Sequence, residues 1–225
     1  MSEEKEPAHW LDLVLTIVMA CAAVGTAWAG FQSTKWSGVQ ANSYAAASAA
    51  RLESDRASTR AGQQRIGDTI AFSSWLDALN QDLLAGRIQR PQGSYEPTPG
   101  TMSGFLYERF RPGFQPVMDK WIASKPLLNP NAPATPFHLP EYQLAGDAEA
   151  AALAAKADAL ALQAQDANQR GDNYVLTAVI FALVLFFAGV AGRAHGAASQ
   201  RLLAGFAVVA LIAAIITLLI YPVEI

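Results

Sequence analysis

A single cysteine, Cys21, stands in a chain of 225 residues. One sulfur closes no disulfide within the chain and builds no thiolate metal site. Histidine is nearly as scarce. His9, His138 and His195 fall in three separate regions, with no His-x-x-x-His or His-Glu-x-x-His pair to hold zinc. There is no Gly-x-Ser-x-Gly elbow and no phosphate-cradling glycine loop. No run of lysine and arginine marks a nucleic-acid surface, and the formal net charge is only −3. Arg51, Arg56, Arg60 and Arg65 interleave with Glu53, Asp55 and Asp68, the pattern of a solvated helix face. The carboxylates Asp68, Asp77, Asp82, Glu108, Asp119 and Glu141 are scattered, with no pair tied to a pocket, and read as solvated surface. With these elements missing, the sequence offers no catalytic residue, cofactor or metal, and a non-enzymatic role is expected.

Charge is also missing from three long blocks. Leu13 to Phe31, Tyr174 to Gly192 and Leu202 to Val223 contain no Asp, Glu, Lys or Arg. Each is near the roughly 20 residues that cross about 30 Å of hydrocarbon. Trp10, Trp28, Trp36, Tyr174 and Tyr221 stand at the block ends, where amphipathic rings suit the headgroup layer. His9 and His195 flank spans and read as interfacial. The chain therefore divides into a tail (1–9), a first membrane helix (10–31), an extramembrane insert (32–173), a second span (174–192), a short basic loop (193–201) and a third span (202–222). An Ala-x-Ala pattern at Ala27 and Ala29 invites comparison with a signal peptide. The acidic leader MSEEKEP and the length of the apolar run oppose cleavage. Arg193 and Arg201 place the 193–201 loop in the cytoplasm, and the N-terminus with it. The insert and the C-terminus then face outward.

Proline is absent from Gln32 to Leu84, alanine is abundant, and apolar residues recur at helical spacing toward the end. The first span should continue as a helix over about 32–84, projecting roughly 80 Å at about 1.5 Å per residue. Gly62 and Gly67 are its expected bends and Gly86 its stop. Residues 87–104, with Pro91, Pro97 and Pro99, form a loop, and a middle helix is expected over about 104–124 with Pro112 and Pro116 near its start. Five prolines make 125–140 an extended strap, and an alanine-rich helix over 141–173 returns to the membrane. The expected class is an all-α membrane protein: three transmembrane helices whose extensions form an extramembrane antiparallel helical stalk of coiled-coil type.

Packing candidates follow. Ala22, Thr26 and Gly30 repeat every four residues, a small ridge that permits close helix contact in lipid. Ile66, Ile70, Trp75, Leu79, Phe114 and Trp121 form the apolar stripe that packs the insert or joins copies of it. Arg109 and Arg111, beside Phe110 and Phe114, are candidates for an anion or lipid-headgroup contact; pairing with Glu108, Asp119 or a neighbouring helix is the other reading. The expected partners are membrane lipids, further copies of the chain and other membrane proteins, not nucleic acid. An oligomeric scaffold or accessory subunit leads. A channel lined by Thr16, Thr26, Thr177 and Thr217, and an extracytoplasmic sensor with a separate output partner, are the alternatives. No ionisable residue lies mid-span, which argues against a pump.

The stretches AWAGFQSTKWSGVQA, RASTRAGQ, ERFRPGFQPVMDKWIASKPLLNPNAPATPFHLPEY and ANQRGDNYVLTAVIFALVLFFAGVAGR resemble those of an uncharacterised family of bacterial membrane proteins with one span, an insert and two further spans. The resemblance covers most of the chain and is most specific in the middle stretch. It implies a bacterial inner membrane and this architecture, and it carries over no catalytic residue.

Overall fold

A computed structural model describes residues 8–126, 128–194 and 196–225, the side chains of residues 8 and 9 excepted. The tail through residue 7, the side chain of His9 and all of His195 lie outside the described residues. Every regular element among those described is helical: α1 (Ala8–Leu84), α2 (Met102–Tyr107), α3 (Gln115–Ala123), α4 (Ala145–Ala191) and α5 (Ala197–Ile220), with a 3-10 turn at Pro136–His138. α1, α4 and α5 are each long and apolar enough to cross a membrane.

α1 is one helix of 77 residues. No proline interrupts it, and neither Gly62 nor Gly67 ends its hydrogen-bonded run. An interior glycine costs only about 1 kcal/mol, which the flanking turns outweigh. The helix stops at Gly86, whose φ of 69° suits a residue without Cβ. There the Gly86 N–H donates to Leu83 O (3.1 Å) and the Arg87 N–H to Asp82 O (2.9 Å), the paired bonds of a Schellman cap.

The chain forms two compact units. The first comprises Met1–Ala49 and Lys156–Ile225. Here Leu11, Leu15, Val18, Ala22, Gly25, Ala29, Gln32 and Trp36 of α1 are buried, spaced alternately by four and three. They face Tyr174, Phe181, Val184, Ala188 and Ala191 of α4 and Ala204, Ala207, Leu211 and Ala214 of α5. Small side chains dominate because close backbone approach, rather than loss of water, holds helices together in lipid. Leu13, Ile17, Val24, Val179, Phe186, Phe206, Val209 and Ile216 point outward.

The second unit, Ala50–Ala155, is built on aromatic rings. Phe72, Trp75 and Leu79 of α1 pack against Tyr107, Phe110, Phe114, Val117, Met118, Trp121 and Ile122. Phe72 meets Trp121 edge-on at 5.2 Å between centroids, and Phe114 stacks on Phe137 at 5.5 Å. Trp121 Nε1 donates to Pro133 O (2.8 Å), which pins the proline strap. The expected single middle helix is two. Pro112 lacks the N–H that would continue the ladder and restricts Arg111 before it, so the chain turns through residues 108–114 and restarts at Gln115, with Pro116 in the first turn. Gly146 sets the approach of α4 to α1 in this unit: a Cβ there would lie 2.9 Å from Ala57 O.

Candidate functional site

The second unit carries its polar chemistry at two buried carboxylates on α1, both of which the sequence reading places in solvent. Asp68 is 5% exposed. It accepts from Arg111 Nη2 (2.7 Å), Arg111 Nε (3.3 Å) and the Tyr142 hydroxyl (3.0 Å). Burial and the hydrogen bond to this carboxylate push Tyr142 up to about 12, and the same carboxylate raises Arg111. Asp82, fully buried, accepts from the Ser103 N–H (2.9 Å) and Arg87 Nε (2.7 Å). The Ser103 N–H is the main reason Asp82 sits below the usual carboxylate range; burial opposes it and Arg87 adds to it. The Tyr107 hydroxyl donates to Asp119, and burial raises Tyr107 well above the ordinary tyrosine range.

Both carboxylates therefore face donors from their own chain. Asp68 ties the α2–α3 turn and the segment before α4 to α1, and Asp82 ties the start of α2 to the end of α1. They act as pins, and a general base would instead need a free lone pair open to substrate. Among the described residues no three His, Cys, Asp or Glu side chains gather into a metal-binding group. The Arg60–Glu149 (3.1 Å) and Arg65–Asp147 (2.7 Å) pairs join α1 to α4 at the surface. Lys120 pairs with Glu141, and His138 Nδ1 meets Thr135 Oγ1 at 2.8 Å.

The expected packing residues separate. Trp75, Leu79, Phe114 and Trp121 share one buried cluster. Ile66 and Ile70 do not join it; they are 63% and 62% exposed. Arg111 is engaged by Asp68 rather than left for an external anion. Arg109 lies 3.4 Å over the Phe105 ring and donates to Phe105 O, instead of pairing with Glu108 or Asp119. In the first unit Ala22 is buried, Thr26 donates to Ala22 O, and Gly30 is exposed with open space around it. The close contact belongs to Gly25, where a Cβ would lie 2.4 Å from the Phe181 ring.

A second cluster in the first unit receives the C-terminal residues. Gln32, fully buried, donates through Nε2 to Glu224 O (3.1 Å) and accepts the Glu224 N–H on Oε1 (2.9 Å). Trp36 Nε1 (3.2 Å) and the Tyr174 hydroxyl (3.1 Å) both donate to Pro222 O. The Arg170 guanidinium covers the Trp36 ring at 4.6 Å. Nearby, an open apolar groove of about 460 Å³ runs between Ala20, Cys21, Val24, Gly25 and Trp28 of α1, Phe181 of α4, and Ile215 and Leu218 of α5.

Sequence reading missed Asp68, Asp82, Gln32 and Tyr142. The only available signal for Gln32 was a polar residue falling on the buried three-and-four spacing of α1. No family model, curated protein or solved structure matches the chain.

Proposed function

We propose that the chain is a non-enzymatic integral membrane protein of a bacterial inner membrane, with its N-terminus cytoplasmic and its insert outside. It acts as a homo-oligomeric helical scaffold or accessory subunit whose insert forms an antiparallel stalk, bound to lipids and to other membrane proteins. One observation carries this reading. Ile66 and Ile70 expose large apolar side chains one turn apart on α1, in a unit whose buried carboxylates are already paired within the chain. Such a pair suits a second copy. The hydroxyls of Thr16, Thr26, Thr177 and Thr217 each donate to the carbonyl four residues back in their own helix, which weighs against the channel reading.

Native mass spectrometry of the full chain in mild detergent tests the proposal. A multiple of the chain mass is expected, falling to single chains in the Ile66→Asp, Ile70→Asp variant. The tryptophan-fluorescence melting of that variant should stay at the parent value, because both side chains lie outside the buried aromatic cluster. A parent that flies only as a single chain would overturn the proposal.

A further inference from the structure

The last five residues are held as a bound peptide is held. α5 ends at Ile220 and the backbone becomes extended at Tyr221 (φ −76°, ψ 139°). All the hydrogen bonds described above from Gln32, Trp36 and Tyr174 read main-chain atoms of this segment, the carbonyl of Pro222 and both the N–H and carbonyl of Glu224. Pro222 presents an acceptor and no donor, which suits a site that offers it two N–H or O–H groups. Of the segment's side chains, the Tyr221 ring is gripped, edge-on to Tyr174 at 5.7 Å. Gln32 has no exposed surface with the segment in place, and both of its polar atoms bond to Glu224, so losing the segment would strip the amide of both partners.

The packing of α5 is an independent observation. The groove lined by Gly25, Ile215 and Leu218 lies between α1 and α5, and along the inward face of α5 full burial at Ala207 and Ala214 gives way to partial burial at Leu218 and Tyr221. Side-chain burial is thus only partial at the end of α5, where the segment turns back onto α1 and α4.

We infer that Gln32, Trp36 and Tyr174 form a site for the main chain of an extended, proline-containing peptide, that its occupant is the chain's own 221–225 segment, and that this latch holds the end of α5 beside α1 and α4. Releasing it frees the end of α5 and widens the groove over Phe181. The site recognises backbone, so its demand on sequence is confined to Pro222 and the ring at 221.

The test uses the full chain in lipid nanodiscs. Spin labels are placed at Thr34→Cys and Ile225→Cys in a Cys21→Ala background, diluted with unlabelled chain so that only distances within one molecule are read. One narrow distance population is expected. The Trp36→Phe, Tyr174→Phe double variant keeps an aromatic ring at each position and removes both donors to Pro222. It should raise the share of chains outside that population by about fivefold for each bond lost. Gln32→Met, of similar length with no donor and only a weak acceptor, should do the same. Should Gln32→Met fail to assemble, the double variant decides alone. Distance distributions in the double variant that superimpose on the parent would overturn the latch.

Discussion

At the scale of single residues, Asp68 and Asp82 distinguish buried pairing from surface pairing. Removing one member of a buried pair leaves its partners without compensation, whereas an exposed ion pair contributes little. Asp68→Ala strips both Arg111 and Tyr142 of their acceptor and should cost about 2–4 kcal/mol. Glu149→Ala breaks only the exposed pair with Arg60 and should cost under about 1 kcal/mol. Denaturant melts followed by tryptophan fluorescence separate the two. Asp82 adds a pH signature. Its carboxyl is held below its ordinary value in the fold, so its contribution is complete above the unfolded value of about 4 and is lost as pH falls through the folded value. The stability gap between parent and Asp82→Asn should therefore be widest at neutral pH and close below about pH 4. A gap that grows on acidification would show that burial, not the Ser103 N–H, dominates there.

At the scale of the helix, the glycines sort by what surrounds them. Gly62 and Gly67 have open space where a Cβ would go, so each Gly→Ala change should raise stability by about 0.5–1 kcal/mol. Gly86 sits at φ 69° beyond the end of α1, and Gly86→Ala should lower it by about 1 kcal/mol. Gly25→Leu drives a side chain into the Phe181 ring, while Gly30→Leu meets nothing. The first should lower the thermal midpoint in detergent and the second should leave it unchanged. Reversal of that order would mean that α1 presents a different face to α4. The contrast also shows why spacing alone misled: a ridge repeating every four residues drifts around the helix, whereas the buried face alternates three and four.

At the scale of the whole chain, the helical blocks were legible because composition and charge act locally. Uncharged runs, missing proline and clustered aromatic rings each report on neighbours a few positions away. The pins were not legible. Arg111 lies 43 positions from Asp68, Tyr142 lies 74 away, and Glu224 lies 192 from Gln32. A lone aspartate or glutamine in an alanine-rich helix looks solvated until those distant donors arrive. The apolar stripe of the middle helix, Phe114 to Ile122, lies wholly past Pro112, so spacing alone does not show that Met102–Tyr107 is a separate helix; that break depends on a missing N–H.

The spacing of buried residues on α1 has one more consequence, for insertions. Asp68, Phe72, Trp75, Leu79 and Asp82 all lie past the exposed stretch at 63–67. Slipping one extra residue into that stretch would turn them, together with their downstream partners Arg87, Ser103, Arg111 and Tyr142, through about 100° relative to Ser54, Ala57 and Arg60, which meet Ala150, Gly146 and Glu149 of α4. Seven extra residues would restore the rotation but still shift that part by about 10 Å along the axis. Inserting one alanine there should therefore lower the melting midpoint by breaking the pairing of α1 with α4, while Trp75 and Trp121, whose cluster lies wholly past the insertion, keep their near-ultraviolet circular dichroism.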